Sequence, residues 1–110
     1  MTNELTEEQQ SELFRSIADK HIDLANSQMQ DAELTLVTSG FMYGASRFSA
    51  FTVASGSKNL EEYEASMNDA IEHYTSLFRG MLEGNLESYK SAFEVVEEKP
   101  RYTHLMKEKK

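Results

Sequence analysis

The apolar residues of this chain recur at helical intervals along almost its whole length, and this spacing limits the possible folds more than any other feature. Leu13, Ile17 and Leu24 follow it early in the chain, and Tyr63 and Met67 follow it in the second half. Such spacing puts the apolar residues on one face of a helix. No stretch shows the strict alternation of apolar and polar residues that is typical of a half-buried strand. The sequence therefore predicts an all-α fold.

Capping signals mark where the first helices begin. Thr6 stands three residues before Gln9, the spacing of a capping box, in which the two side chains satisfy backbone donors at the helix start. We expect this first helix to fade near residues 29–31. A second helix is predicted over Leu34–Ala54, a stretch without acidic residues.

Further signals predict two more helices, giving about four in all. Asn59 caps the third helix, with Glu62 three residues later in the capping-box position. Gly84 and Asn85 are expected to end the third helix in a left-handed cap and to begin a fourth. Pro100 would stop that fourth helix.

The predicted second helix is unusual because Arg47 is the only charged residue between Leu34 and Ser57. Hydroxyl and small side chains occupy the face opposite its aromatic residues. A helix with so little charge is usually buried on most sides. We therefore predict a single small domain packed around this central, nearly uncharged helix.

Length and charge limit the domain organisation. The chain has 110 residues, a net charge of −8 and no cysteine, which favours one domain without disulfides. Residues 99–110 hold five basic residues and one acid, hence +4, which leaves −12 on residues 1–98. We predict a disordered N-terminus over 1–5, a helical domain over 6–98 and a basic tail over 99–110.

The charge balance and the absence of targeting signals limit the partners. An excess of acid disfavours nucleic acid, because binding to phosphates needs clustered Lys and Arg. The N-terminal run MTNELTEEQQ has neither the basic start nor the apolar run of a secretory signal. The most apolar stretch, 34–57, is interrupted by Ser, Thr and Arg47, so it is not expected to cross a membrane. We predict a cytoplasmic protein.

The sequence offers little that could carry catalysis. No Gly-x-Ser-x-Gly motif and no phosphate-binding loop is present, since Gly40 and Gly44 lie inside a predicted helix. The residues three positions before the histidines are not the glutamates that a di-iron bundle needs. We therefore predict no enzyme, no metal site and no cofactor.

Arg47 is the strongest single candidate for a functional residue. A buried guanidinium must find a partner, because an unpaired buried charge is very costly. Three alternatives remain: an internal ion pair with Asp23, Asp69 or Glu72, a site for a carboxylate or phosphate ligand, or an ion pair between subunits. For the ligand reading, the candidate binding residues are Arg47, Tyr43, Asp23, Asn26 and Tyr74.

Small residues on the second helix indicate close helix packing. Gly40 and Gly44 each cost about 1 kcal/mol relative to Ala inside a helix, so a tight contact with another helix is expected there. The contact is either within one chain or between two chains. Together with Phe41 and Phe48, these glycines form a candidate interface for a homodimer or higher oligomer.

Several runs resemble a known family. They include His21-Ile-Asp-Leu-Ala-Asn-Ser-Gln28, the run Phe-Met-Tyr-x-x-x-Arg-Phe-x-Ala-Phe over 41–51, and Arg-x-Met-Leu-x-x-Asn-Leu over 79–86. The chain resembles, over about residues 14–93, a family of small, uncharacterised bacterial helical proteins known as a domain of unknown function. The resemblance implies an all-helical bacterial cytoplasmic protein and implies no activity.

Two functions fit these features. The first is a non-enzymatic interaction or structural protein that associates with itself through helix packing. The alternative is a helical domain that binds a small carboxylate or phosphate ligand through Arg47. A carboxylate held against Arg47 would argue against the alternative.

Overall fold

The structure, a computed structural model, describes residues 4–94, and these residues form three α-helices. Helix α1 covers Glu7–Gln28, α2 covers Leu34–Ser55 and α3 covers Leu60–Glu94. No strand occurs within residues 4–94. The prediction of an all-α fold is therefore confirmed. The predictions for residues 1–3 and 95–110, which include most of the N-terminus and the whole basic tail, lie outside the described residues.

Helix α1 begins with the capping box that its sequence predicts. The Gln9 backbone N–H donates to the Thr6 hydroxyl at 3.0 Å, and the Thr6 N–H donates to the Gln9 side-chain oxygen at 2.9 Å. Glu7 and Glu8 occupy the first turn, where their charges oppose the positive end of the helix dipole. The helix ends at Gln28, with Met29 as its C-cap, close to the predicted end.

Helix α3 begins with a variant of the predicted cap. The Glu62 backbone N–H donates to the Asn59 side-chain oxygen at 2.8 Å, as a cap requires. The Glu62 carboxylate accepts from the N–H of Lys58 at 2.7 Å, one residue before the cap. Two backbone donors are thus satisfied, and α3 begins directly after Asn59, where the sequence predicts.

The predicted break at Gly84 is wrong, and the third and fourth predicted helices are one helix of 35 residues. A left-handed cap needs a positive φ, and no glycine in the described part of the chain has one. Helical intervals of four, three and four join Leu82, Leu86, Tyr89 and Phe93 across the glycine. This unbroken apolar stripe outweighs the roughly 1 kcal/mol that a glycine costs inside a helix.

The chain divides into two compact units, residues 1–41 and 42–110. In the first unit, the residues that are at least half-buried surround the turn from α1 to α2: Ala25, Met29, Ala32, Leu34 and Val37. In the second unit, most of the half-buried residues lie near the end of α2 and in the first half of α3. They are Ser49, Val53, Ser57, Tyr63, Ser66, Ala70, Tyr74 and Ala92. Each unit therefore has only a small number of buried or half-buried residues.

Helix α2 is less buried than its composition predicts. Val37, at 8% exposure, is the only buried residue of residues 4–94. Within α2, Leu34, Ser49 and Val53 are half-buried and the other side chains are exposed. Each unit contains part of α2 and one other helix. A single neighbouring helix covers only one side of a helix. The absence of charge on α2 therefore does not reflect burial within either unit.

Candidate interaction surface

Arg47 lies on the exposed surface of α2, in the second unit. It makes no ion pair with Asp69 or Glu72, the two predicted partners in the same unit. Asp23, the third, belongs to the first unit. The predicted pairing with Asp69 or Glu72 assumed a buried guanidinium, and an exposed guanidinium is solvated by water instead.

The candidate binding residues are divided between the two units. Asp23 and Asn26 lie on α1 in the first unit, whereas Tyr43, Arg47 and Tyr74 lie in the second. Tyr74 is half-buried, and its ring meets that of His73 edge-on, with 4.8 Å between the centroids. Tyr43 is exposed one turn before Arg47. Neither unit gathers the whole set around one cavity.

The candidate interface residues are also divided, with Gly40 and Phe41 in the first unit and Gly44 and Phe48 in the second. A Cβ added at either glycine would meet no atom within 4 Å. Neither unit therefore packs a helix of its own closely against its glycine. Packing between two chains stays a prediction.

The two phenylalanines of this candidate interface have different surroundings. Phe41 stacks on His21 across the first unit, with ring centroids 6.5 Å apart, and the His21 ring nitrogen Nδ1 lies 2.9 Å from the Ile17 carbonyl oxygen. Phe48 is exposed and lies 5.6 Å from the Phe51 ring, centroid to centroid, on the same helix. Phe41 therefore contributes to contacts within its unit, and Phe48 leaves most of its surface open.

A shallow groove of about 300 Å³ lies in the first unit, at the turn between α1 and α2. Its apolar side is formed by Ala32, Leu36 and Val37, and Asp31 and Gln28 stand at its polar edge. A second groove, of about 550 Å³, runs along α3 beside Phe78, Leu82 and Leu86. None of the candidate binding residues lines either groove.

The feature that sequence reasoning missed is the extent of exposed apolar surface. The stripe of α1 is exposed at Leu13, Phe14, Ile17 and Leu24. The second half of α3 carries a longer set, here named the distal stripe. Its members are large, apolar and 43% to 62% exposed: Leu77, Phe78, Met81, Leu82, Leu86 and Phe93. The helical period predicts that these residues share a face, but it does not say what covers that face.

Charged residues form one edge of the distal stripe. Arg79 pairs with Glu83 at 3.9 Å and Lys90 pairs with Glu87 at 3.3 Å, and all four side chains are well exposed. Exposed pairs of this kind contribute little to stability, typically below about 1 kcal/mol each. These four side chains can therefore form ion pairs with other residues at little cost in free energy. An apolar centre with a charged edge resembles the core and rim of a protein interface.

Two further findings concern other kinds of site. No group of three or more His, Asp or Glu side chains in residues 4–94 is arranged to hold a metal ion. In the same part of the chain, none of the helices combines the length and the apolarity that crossing a bilayer demands.

The fold and this surface define a small all-helical chain whose helices keep much of their apolar surface open. The chain belongs to the family described as protein of unknown function (DUF3144), which matches residues 14–90. This match confirms the resemblance drawn from the sequence runs and covers most of all three helices. The chain has no significant match among the curated proteins or the solved structures.

Proposed function

We propose that the protein is a non-enzymatic interaction or structural protein that associates with itself through helix packing. The observation that carries this proposal is the exposure of large apolar side chains on every helix, with Val37 the only buried apolar residue among residues 4–94. Monomeric soluble proteins rarely expose contiguous apolar patches larger than a few hundred Å². A second chain would remove this surface from water.

Burial energetics support the proposal. Fully burying a Leu, Ile, Phe or Met side chain contributes about 1.5–3 kcal/mol, and the described chain realises only part of this contribution at most of its large apolar positions. One buried residue supplies little to offset the conformational entropy lost on folding. Association would supply the missing stabilisation, as it does for obligate oligomers.

The proposal includes a setting and a class of partner. We infer a bacterial cytoplasmic protein that binds itself, and also has room for an unidentified protein partner on the same open surfaces. The net charge of −8 supports protein rather than nucleic acid as the partner, because like charges repel phosphates. The membrane is likewise not proposed as a partner.

Light scattering after size-exclusion chromatography tests this function. We expect a mass at least twice the 12.6 kDa of the chain at a loading concentration of about 100 μM, with a decrease on dilution. The melting temperature should also rise with protein concentration, because association stabilises the folded state. A mass of one chain at all concentrations up to about 500 μM would contradict the proposal.

A ligand-binding function is the second candidate, and one observation favours it. Neither Asp69 nor Glu72 occupies Arg47, so its guanidinium is available to a carboxylate or phosphate ligand, with Tyr43 one turn away. Thermal melting in the presence of small carboxylates and phosphates tests it. A shift that is lost in Arg47→Gln would support this function, and no shift with any compound would count against it.

A further inference from the structure

We propose that the distal stripe of α3 is the surface through which two copies of the chain associate, with the two α3 helices antiparallel. This inference rests on the proposed function and deepens it, since it assigns one surface, one occupant and one orientation. Three properties of α3 support this pairing: its length, the area of the stripe and the order of its charges.

The length of α3 leaves the distal stripe without a partner helix in its own unit. Helix α3 has 35 residues and is therefore about 52 Å long. The part of α2 in the same unit, residues 42–55, is about 21 Å long and runs into α3 through a short turn. Apart from Ala92, Tyr74 is the last half-buried residue of α3. The stripe begins three residues later, at Leu77.

The area of the stripe matches what a specific dimer needs. Its six large side chains expose on the order of 600 Å² per chain, since a side chain of this size has roughly 200 Å² to expose. Two copies would together bury about 1,200 Å², the lower end of the range for stable interfaces, before the charged edge is counted. The stripe is also contiguous, which a set of scattered exposed residues is not.

The order of charges along the edge favours an antiparallel second copy. If the twofold axis passes between Leu86 and Glu87, Arg79 lies opposite Glu94 of the second copy. Lys90 then lies opposite Glu83 of the second copy, and symmetry repeats both pairs. A single register therefore places four pairs of opposite charge at matching levels along the two helices, and these four residues lie on the same side of the stripe because they are spaced by helical intervals.

A parallel arrangement does not bring the same residues together. Its twofold axis runs along the helices, so the two charged edges lie on opposite sides of the interface and Arg79 and Lys90 meet no acid of the other edge. The opposite charges of Arg79, Glu83, Lys90 and Glu94 therefore favour the antiparallel arrangement. The pairs within the chain, Arg79 with Glu83 and Lys90 with Glu87, are exposed and therefore free to rearrange on association.

The groove along α3 is lined by residues of this one helix and is open to solvent, so a second copy can pack against it. It is about 550 Å³ in volume, and Phe78, Leu82 and Leu86 line it together with Arg79 and Glu83. The groove thus combines the apolar stripe and its charged edge. An antiparallel helix could place its own Leu86 and Phe93 there, which gives a self-complementary contact of the kind that a twofold dimer requires.

Sedimentation velocity on matched variants of the full chain tests the surface. Leu86→Lys places a charge at the proposed centre, and Leu36→Lys makes the same change at a residue of similar exposure, 66% against 62%. We expect Leu86→Lys to raise the dimer dissociation constant about a hundredfold, because the change is repeated in both chains. Leu36→Lys should leave it within about threefold. Circular dichroism checks that both variants keep their helix content.

A charge exchange tests the orientation. Lys90→Glu should raise the dissociation constant about fivefold or more, because Glu83 of the second copy then faces another acid. Adding Glu83→Lys to Lys90→Glu restores opposite charges across the antiparallel contact and keeps the net charge of the wild-type chain. We expect the double variant to return to within about twofold of wild type.

The outcomes separate this inference from the proposed function. A wild-type dimer that Leu86→Lys leaves intact would overturn the assigned surface and leave self-association standing. A dimer that Leu86→Lys weakens but the double variant does not rescue would overturn the antiparallel orientation. A monomer would overturn both proposals, and a lower melting temperature of monomeric Leu86→Lys would show that the chain's own residues cover the stripe.

Discussion

At the scale of single residues, the clearest contribution to stability is the reciprocal cap of α1. Thr6 and Gln9 satisfy each other's backbone N–H groups at 3.0 and 2.9 Å, so two donors that a helix start leaves open are both bonded. The cap also fixes where the chain turns into the helix. Its geometry follows from the residue types alone and could be predicted from the sequence.

Removing this cap should have a measurable cost. Thr6→Ala deletes the hydroxyl that accepts from Gln9, and we expect the free energy of unfolding to fall by about 1 kcal/mol. Thr6→Ser keeps an accepting hydroxyl and is the matched control, with an expected stability within about 0.3 kcal/mol of wild type, because Ser caps a helix at least as well as Thr. Urea denaturation measures both. Equal stability of Thr6→Ala and wild type would show that the cap contributes nothing.

Arg47 illustrates what residue types alone cannot predict. Its charge-free surroundings in the sequence indicate burial, and burial would demand a carboxylate partner. The structure instead leaves its side chain exposed and without a pairing to Asp69 or Glu72. Whether a helix is buried depends on how many neighbours surround it, and that number is not encoded in the helix itself.

The exposure of Arg47 leads to a stability prediction. Arg47→Met should change the free energy of unfolding by no more than about 0.5 kcal/mol, because surface substitutions away from specific contacts have small effects. Chemical denaturation of the two proteins at equal concentration measures the difference. A loss above about 2 kcal/mol would indicate that the guanidinium has a buried carboxylate partner after all.

At the scale of helices, the boundaries of α1 and α2 and the start of α3 could be predicted from sequence, whereas the length of α3 could not. Caps such as Asn59 and Glu62 are local, so local chemistry determines them. Gly84 followed by Asn85 is an equally local signal for a helix end, and here the continuous apolar stripe outweighs it. Whether a helix-ending signal or a continuous apolar face prevails depends on tertiary contacts that the sequence does not show.

The continuous helix makes a prediction at Gly84. A Cβ there would meet no atom within 4 Å and the φ angle is not positive, so Gly84→Ala should stabilise the protein by about 0.5–1 kcal/mol. Gly80→Ala, in the same helix and equally open, should have a similar effect. Thermal and urea denaturation measure both. Destabilisation by Gly84→Ala alone would indicate a left-handed cap and hence two separate helices.

At the scale of the whole molecule, helix formation and helix burial are determined by different parts of the sequence. The apolar spacing that produces α1 and α3 also produces faces that stay largely exposed within one chain. The fold class could be predicted from that spacing, but the interaction surface could not, because amphipathic spacing is the same whether a face packs inside a chain or against another chain. The exposed area and the charge order on α3 are the observations that support the proposed packing against another chain.

The proposed dimer accounts for three features together: the length of α3, its open stripe and the order of charges from Arg79 to Glu94. It also explains why Gly84 and Asn85 do not end the helix, since a break there would divide the stripe at its middle. The pairing assigns the distal half of α3 to association and leaves its first half to packing within the second unit.

Disulfide cross-linking tests this account most directly, because the chain has no cysteine of its own. In the antiparallel pairing, the two copies of residue 86 lie side by side, whereas the two copies of residue 60 lie about 80 Å apart along the helix axes. We predict that Leu86→Cys forms covalent dimers rapidly under mild oxidation and that Leu60→Cys, at a similarly exposed position, does not. Equal cross-linking of the two variants, or faster cross-linking at residue 60, would contradict the antiparallel association of α3.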